Sequence, residues 1–294
     1  MSKGRYIGVL SAIAALAAIA LQSTASAAGR LPVTPGSGYL ALGDSVTFGY
    51  EESNVVPTPN YHKASNFYGY PEQIGPQLRL QVANAACPGE TSSSLINPRA
   101  ESNGCENTLG KGVGYRTAFP LHAGYRGSQL AYGVSYLKTH RNVRLVSLMI
   151  GANDYFVCVE ITRDSCTARS EQAAVLTKLA KNVRAILSAI RRNARYTGQI
   201  AIVNYYSLNY ASAVSSAQSA ALNTVVDGAA RPFGAEIAPS FELMRLASFQ
   251  SGAQGDTCKA GLLTQLSTGQ CGVHPSYAGQ ALLAQALTKA IRIR

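Results

Sequence analysis

A serine and a histidine that could perform nucleophilic catalysis stand near opposite ends of the sequence. Ser45 lies in the tetrapeptide GDSV, directly after the apolar run 38–43, and His274 precedes Pro275 near the C-terminus. A neutral serine hydroxyl is a poor nucleophile, so an imidazole has to remove its proton as it attacks. Together the two residue types would support acyl transfer. Taken alone, Gly-Asp-Ser is also an ordinary turn sequence in which the aspartate or serine caps a helix.

Two further residues could supply hydrogen bonds to the oxyanion that forms during acyl transfer. Gly89 lies in the tetrapeptide CPGE and Asn153 in GAND, and each follows a predicted strand. A tetrahedral intermediate needs donors aimed at its negative oxygen, and a glycine lets the backbone approach a substrate closely because it has no Cβ. Each residue also has an ordinary structural explanation, since Gly89 could be a turn glycine and Asn153 could cap a helix.

Apolar runs alternate with helical patterns along the chain, which is typical of βα units around a parallel sheet. Strands are predicted at 38–43, 80–86, 143–150, 199–205 and 235–238, and helices at 70–80, 128–139, 171–192, 211–230 and 276–291. The sequence therefore predicts an α/β fold, with three α/β/α layers around a central parallel sheet of about five strands. The stretches 50–66, 98–125 and 155–170 lack such patterns and are predicted to be long loops. Since the carboxyl ends of parallel strands line one crevice, the candidate residues are expected to meet there.

The ordered set of Ser45, Gly89, Asn153 and His274 resembles the four sequence blocks of the SGNH family of GDSL hydrolases. The resemblance extends over the mature chain, from Gly38 to the final helix. It implies a flavodoxin-like strand order and hydrolysis of carboxylic acid esters through an acyl-serine intermediate. It also implies that Ser45 and His274 are the catalytic pair. The oxyanion hole would consist of the main-chain N–H groups of Ser45 and Gly89 and the side-chain amide of Asn153.

The sequence is accordingly interpreted as a secreted serine esterase or lipase-like hydrolase acting on small-molecule, lipid or polysaccharide esters. A lipase or phospholipase and a polysaccharide O-deacetylase are alternatives within the family. A secreted binding protein without catalysis is the alternative outside it, although retention of all four residues argues against it. The chemistry requires no cofactor and no metal, and a monomer is expected. The net charge of +11 is scattered rather than gathered in a patch, so a nucleic-acid partner is not expected.

The sequence departs from the family pattern at the residue that usually orients the histidine. The family places an aspartate three residues before the histidine, and Cys271 stands there in this sequence. The preferred interpretation is a Ser–His dyad in which a main-chain carbonyl accepts the Nδ1–H bond of His274. The alternative is a displaced carboxylate, for which Asp256 is the best candidate. Pro275 is predicted to begin the final helix, which would place His274 at the positive end of the helix dipole.

The first 27 residues have the pattern of a secretory signal peptide. Lys3 and Arg5 precede the apolar run 6–21, and the sequence Ala-Ser-Ala at 25–27 matches a cleavage site. A membrane anchor is the alternative, because the run is close to spanning length. Cleavage is the preferred interpretation. It predicts an extracellular protein without a stable membrane anchor, with a single SGNH-hydrolase-like catalytic domain at 28–294.

Six cysteines fit this exported compartment, where disulfides form and persist. Six cysteines allow about fifteen connectivities, which sequence alone does not distinguish. Pairing of neighbours gives Cys87–Cys105, Cys158–Cys166 and Cys258–Cys271, and these three disulfides are predicted. A zinc site is the alternative, but the spacings lack the short Cys-x-x-Cys pattern that such sites use.

Overall fold

Five parallel strands form the central sheet. In the computed structural model, which describes residues 30–250 and 252–294, the strands are β1 (Gly38–Gly43), β2 (Gln81–Asn84), β3 (Val143–Met149), β4 (Gln199–Val203) and β5 (Ala235–Ala238). Their order is β2-β1-β3-β4-β5, and each neighbouring pair is parallel. β1 and β4 are buried along their whole length, which explains their nearly continuous apolar sequences. The predicted α/β class and flavodoxin-like strand order are confirmed.

Helices connect the strands and cover both faces of the sheet. In the described residues they are α1 (Ser45–Phe48), α2 (Tyr70–Leu78), α3 (Ser92–Ile96), α4 (Tyr115–Ala118), α5 (Gln129–Thr139), α6 (Ala152–Ile161), α7 (Arg169–Ser188), α8 (Ala213–Ala230), α9 (Ser240–Gln250) and α10 (Tyr277–Ala290). Short 3-10 turns occupy Ala64–Asn66 and Arg231–Phe233, and a π-helical turn at Ala189–Asn193 follows α7.

The side chains of β1 alternate between the two faces of the sheet, as those of any strand must. Tyr39 and Ala41 belong to a buried cluster with side chains of α2, α9 and α10, and we call this side the α10 face. Leu40 and Leu42 belong to a second cluster with side chains of α5, α7 and α8, and we call this side the α7 face. The sheet is therefore the middle of three layers, as predicted.

A hairpin that the sequence did not reveal carries His274. Strands β6 (Leu263–Gln265) and β7 (Cys271–Pro275) pair antiparallel, and His274 belongs to β7 rather than to a loop. The expectation that Pro275 begins the last helix is wrong. Ser276 is the N-cap of α10, and its hydroxyl accepts a hydrogen bond from Gly279 N–H at 3.2 Å. Since His274 precedes the cap as part of a strand, the argument that placed it at the helix dipole is withdrawn.

Two helices replace stretches that were not predicted as helical. α6 occupies most of the first half of 155–170, which was expected to be irregular, and α9 follows β5. The α6 sequence is rich in aromatic and β-branched residues, which have low intrinsic helix propensity. Tertiary contacts override that preference, because Val157 and Cys158 are buried and the Cys158–Cys166 disulfide closes the following turn.

The six cysteines form the three neighbour pairs expected from the sequence, Cys87–Cys105, Cys158–Cys166 and Cys258–Cys271. Residues Leu31–Arg294 form one compact unit. Among the described residues, none of the helices combines the length and the apolar character that crossing a membrane requires. The predicted signal peptide, 1–27, lies outside the described residues and stays a prediction.

Candidate active site

Ser45 is the first residue of α1 and follows β1 through a tight turn. Gly43 adopts a φ of 150°, and a Cβ at this position would collide with the carbonyl oxygen of Met149. A glycine is therefore required in the turn. Asp44 is the N-cap of α1, and its carboxylate accepts a hydrogen bond from Val46 N–H at 3.0 Å. The turn presents Ser45 at the carboxyl end of a central strand, where open α/β sheets bind their ligands.

Gln129 of α5 connects this turn to the loop that carries Gly89. Its Oε1 accepts a hydrogen bond from Gly43 N–H at 2.6 Å, and its Nε2 donates to the Gly43 carbonyl at 3.0 Å and to Glu90 Oε2 at 2.9 Å. Gln129 and Glu90 are fully buried. Burial, followed by the neighbouring carboxyl group of Glu106, raises the pKa of Glu90. A satisfied polar network of this kind fixes the two loops relative to each other.

His274 lies between Ser45 and Glu52. Its Nε2 accepts a hydrogen bond from the Ser45 hydroxyl at 2.9 Å, and its Nδ1–H donates to Glu52 Oε1 at 2.8 Å. The Tyr206 hydroxyl donates to the Val273 carbonyl at 2.6 Å and holds β7 in place beside the ring. Hydroxyl, imidazole and carboxylate thus form one chain of hydrogen bonds, built from residues 222 or more positions apart in sequence for each bond to the ring.

The Glu52 carboxylate accepts several hydrogen bonds from the hairpin. Besides the His274 ring, Oε1 accepts a bond from Val273 N–H at 2.8 Å, and Oε2 accepts one from the Thr264 hydroxyl at 2.6 Å. Burial by itself would raise the pKa of Glu52, but the hydrogen bonds from His274 and Thr264 and the charge on His274 lower it to about 2. The carboxylate is therefore ionised at neutral pH and can support a positive imidazolium beside it.

A glycine makes this close approach possible. A Cβ on Gly272 would overlap the carboxylate oxygens of Glu52. Gly272 stands two residues before His274, in the position from which a larger side chain would push the carboxylate away from the ring. The hairpin sequence is therefore adapted to receive Glu52.

The structure corrects the predicted Ser–His dyad. The Nδ1 of His274 donates to the Glu52 carboxylate and not to a main-chain carbonyl. Asp256, the alternative candidate, accepts hydrogen bonds from the main-chain N–H groups of Cys258 and Lys259, both at 3.0 Å, and stabilises a local turn. The missing family aspartate is thus replaced from a loop near the N-terminal end of the domain, because that loop folds across the hairpin.

Gly89 and Asn153 line the same cavity as Ser45 and His274. Gly89 has a φ of 81°, and a Cβ there would meet the backbone at Asn103 and Gly104. The Asn103 side chain also donates from Nδ2 to Oδ1 of Asn153 at 2.8 Å. Because the nitrogen of an amide lies opposite its oxygen, this bond directs the Asn153 NH2 group away from Asn103. Asn103 therefore orients a donor that the sequence had identified, although the sequence did not single out Asn103 itself.

The cavity has a volume of about 450 Å³, within the range of sites that bind small organic ligands. At one end lie the polar groups just described. Beyond them its walls come from α6, α7 and α8 and are largely apolar. The site therefore combines a reactive polar end with room for an apolar substituent.

Two groups of side chains in the described residues come close enough to share a metal ion. They are Cys87, Glu90 and Cys105, and Cys158, Cys166 and Glu171. In each group the two cysteines are bonded to each other. A disulfide has no thiolate to bind a metal, so neither group supports a metal centre.

Known proteins place this geometry in a family. The sequence matches the family model of the GDSL-like lipase/acylhydrolase family over residues 41–282. An acetylxylan esterase from Geobacillus stearothermophilus has a similar fold, with 16% identity and a TM-score of 0.53 over 90% of this chain and 98% of that one. A protein named as a GDSL-like lipase, from Parabacteroides merdae, shows 16% identity and a TM-score of 0.52 over 89% and 98%. No curated protein sequence matches significantly. The chain belongs to the GDSL-like lipase/acylhydrolase family and is a carboxylic ester hydrolase.

Proposed function

We propose that the chain hydrolyses its esters through an acyl-serine intermediate on Ser45, with His274 as general base and acid and Glu52 as its positioning carboxylate. The observation that supports this mechanism is the hydrogen-bonded chain from Ser45 through His274 to Glu52. As the Ser45 oxygen attacks the ester carbonyl carbon, Nε2 of His274 takes the hydroxyl proton. The bond to the alcohol oxygen then breaks, and His274 returns the proton to that oxygen.

A water molecule completes the cycle. His274 takes a proton from the water as the water oxygen attacks the acyl carbon, and the second tetrahedral intermediate collapses to release the acid and Ser45. Glu52 does not touch the reacting atoms. It accepts the Nδ1–H bond, which fixes the tautomer with a free Nε2, and its negative charge stabilises the imidazolium that forms in each step.

The oxyanion of both tetrahedral intermediates is assigned to the main-chain N–H groups of Ser45 and Gly89 and to the side-chain NH2 of Asn153. Their support is that all three residues line the cavity next to His274. The Cys87–Cys105 disulfide and the Gln129–Glu90 bond brace the Gly89 loop. Donors that are fixed before the reaction need no reorganisation when charge develops, which is the source of their effect on rate.

Replacing Asn153 with alanine should lower kcat on the order of a hundred- to a thousandfold with little change in KM, because the lost donor acts on the developing oxyanion. Asn103→Ala should cause a smaller loss of kcat, on the order of tenfold, because the amide of Asn153 remains but is no longer oriented. Steady-state kinetics on both variants and on the double variant provide the measurement. In the double variant, Asn103→Ala should add almost nothing to the loss already caused by Asn153→Ala. Independent, multiplying effects would contradict the role given to Asn103.

Hydrolysis of p-nitrophenyl esters by the purified protein tests the proposed function directly. The wild type should release p-nitrophenol and His274→Ala should lose this activity while keeping its thermal unfolding temperature, because the imidazole is the base. An inactive wild type would contradict the function and would favour a binding protein. We further propose that the protein is secreted after cleavage near Ala27, for which the N-terminal pattern and the three disulfides are the support.

A further inference from the structure

The catalytic residues occupy one end of a cavity that continues along the α7 face of the sheet. Its apolar lining beyond the catalytic end includes Phe156 of α6, Val175 and Leu176 of α7, Ala221 and Leu222 of α8, and Leu208 after β4. Phe156 is 40% exposed and Leu208 is 41% exposed, although both are large apolar residues. Exposed apolar side chains gathered along a groove commonly mark a binding surface for an apolar ligand.

The direction of the reaction decides which half of the ester meets this surface. The alcohol oxygen must receive its proton from Nε2 of His274, so the alcohol leaves on the side of the histidine. The acyl group extends from the carbonyl carbon in a different direction. The hairpin that carries His274 packs on the α10 face through Leu263 and Cys271. α7 and α8 pack on the opposite face, through Leu179 and Val226 among others. The apolar wall is therefore on the acyl side of the reaction.

We propose that this part of the cavity is the binding site for an aliphatic acyl chain of medium length, such as octanoyl. The proposal rests on the proposed serine esterase mechanism and names the substrate class of that site. An acetyl group would occupy a small part of a cavity of about 450 Å³ and would leave the apolar wall in contact with water. Acyl groups that carry a carboxylate are excluded as preferred substrates, since the described residues that line the cavity include no lysine or arginine.

The acyl-chain dependence of hydrolysis tests the proposal. The values of kcat/KM for p-nitrophenyl acetate, butyrate and octanoate should rise in that order, by on the order of a hundredfold in total, because each added methylene group leaves water for the apolar wall. A value for acetate equal to or above that for octanoate would overturn the acyl site while leaving the esterase mechanism intact. An absence of hydrolysis with every ester, by contrast, would overturn the proposed function itself.

Variants in the wall locate the chain. Ala221→Phe adds a ring at an exposed position that lines the cavity, and Val175→Asp adds a charge to the wall. Each should lower the ratio of kcat/KM for octanoate to that for acetate by at least about tenfold, since the variant opposes burial of the longer chain. Val214→Asp is the matched control, because Val214 is 68% exposed on α8 and does not line the cavity, and its ratio should equal that of the wild type. Equal ratios in Ala221→Phe, Val175→Asp and wild type, with circular dichroism confirming folded proteins, would overturn this location.

Discussion

Replacing Glu52 with glutamine should lower kcat by on the order of a hundred- to ten-thousandfold, with KM nearly unchanged. The variant keeps the shape of the side chain but loses its charge. The amide can also present its NH2 group to Nδ1, which would favour the tautomer with the proton on Nε2. That tautomer cannot accept the Ser45 proton at 2.9 Å. Because the pKa of Glu52 is lowered to about 2, the wild-type carboxylate is charged at every pH above that value, and the loss in the variant should persist from mildly acidic to alkaline pH.

Two matched variants make this test specific. Glu51 is the preceding residue, and its recorded hydrogen bond uses its main-chain carbonyl, which accepts from the Tyr61 hydroxyl at 2.6 Å. Glu51→Gln should therefore stay within a few-fold of wild type, and so should Asp256→Asn, whose carboxylate supports a turn. If Asp256→Asn is as impaired as His274→Ala while Glu52→Gln is active, the assignment of Glu52 is wrong.

Replacing Ser45 with alanine should lower kcat by about a millionfold, which is the size of effect seen when the nucleophile of a serine hydrolase is removed. Water would then have to attack without an acyl-enzyme, aided by the remaining oxyanion donors alone. Folding should be preserved, because the recorded side-chain bond of Ser45 is the one with His274. The measurement is the rate of ester hydrolysis together with the thermal unfolding temperature.

Ser219 provides the matched control for the nucleophile. It also lines the cavity, but its hydroxyl donates to the Tyr206 carbonyl at 3.0 Å and is not recorded in a bond with His274. Ser219→Ala should keep activity within a few-fold of wild type. Retained activity in Ser45→Ala, or its loss in Ser219→Ala with an unchanged unfolding temperature, would assign the nucleophile to a different serine.

The parts of the fold that sequence alone predicted are those whose side chains repeat with a regular period. The apolar run of β3 and the helical spacing of Leu179, Val183 and Ile186 on α7 reflect burial against neighbours on both sides, so the pattern is strong. The four blocks that contain Ser45, Gly89, Asn153 and His274 follow strands or precede the last helix. Their meeting at one edge of the sheet therefore followed from strand direction.

Glu52 had no comparable signal. It stands in a long stretch without periodicity, next to a second glutamate, and its partner His274 is 222 residues away. Gly272 is the residue that bears the mark of its approach, but a glycine in a short hairpin has many explanations. The hairpin itself was missed because β6 is only three residues long and its turn sequence is as polar as a loop. Contacts between loops depend on the folded structure, and single-sequence patterns do not encode them.

The central claim is that Ser45, activated by His274 and Glu52, is the nucleophile, and covalent labelling tests it most directly. The protein is treated with a fluorophosphonate, digested, and analysed by mass spectrometry. We predict one adduct for each chain, located on Ser45, with labelling that is much slower in Glu52→Gln and absent in Ser45→Ala. An adduct on another residue, or an active wild type that takes up no label on Ser45, would contradict the account.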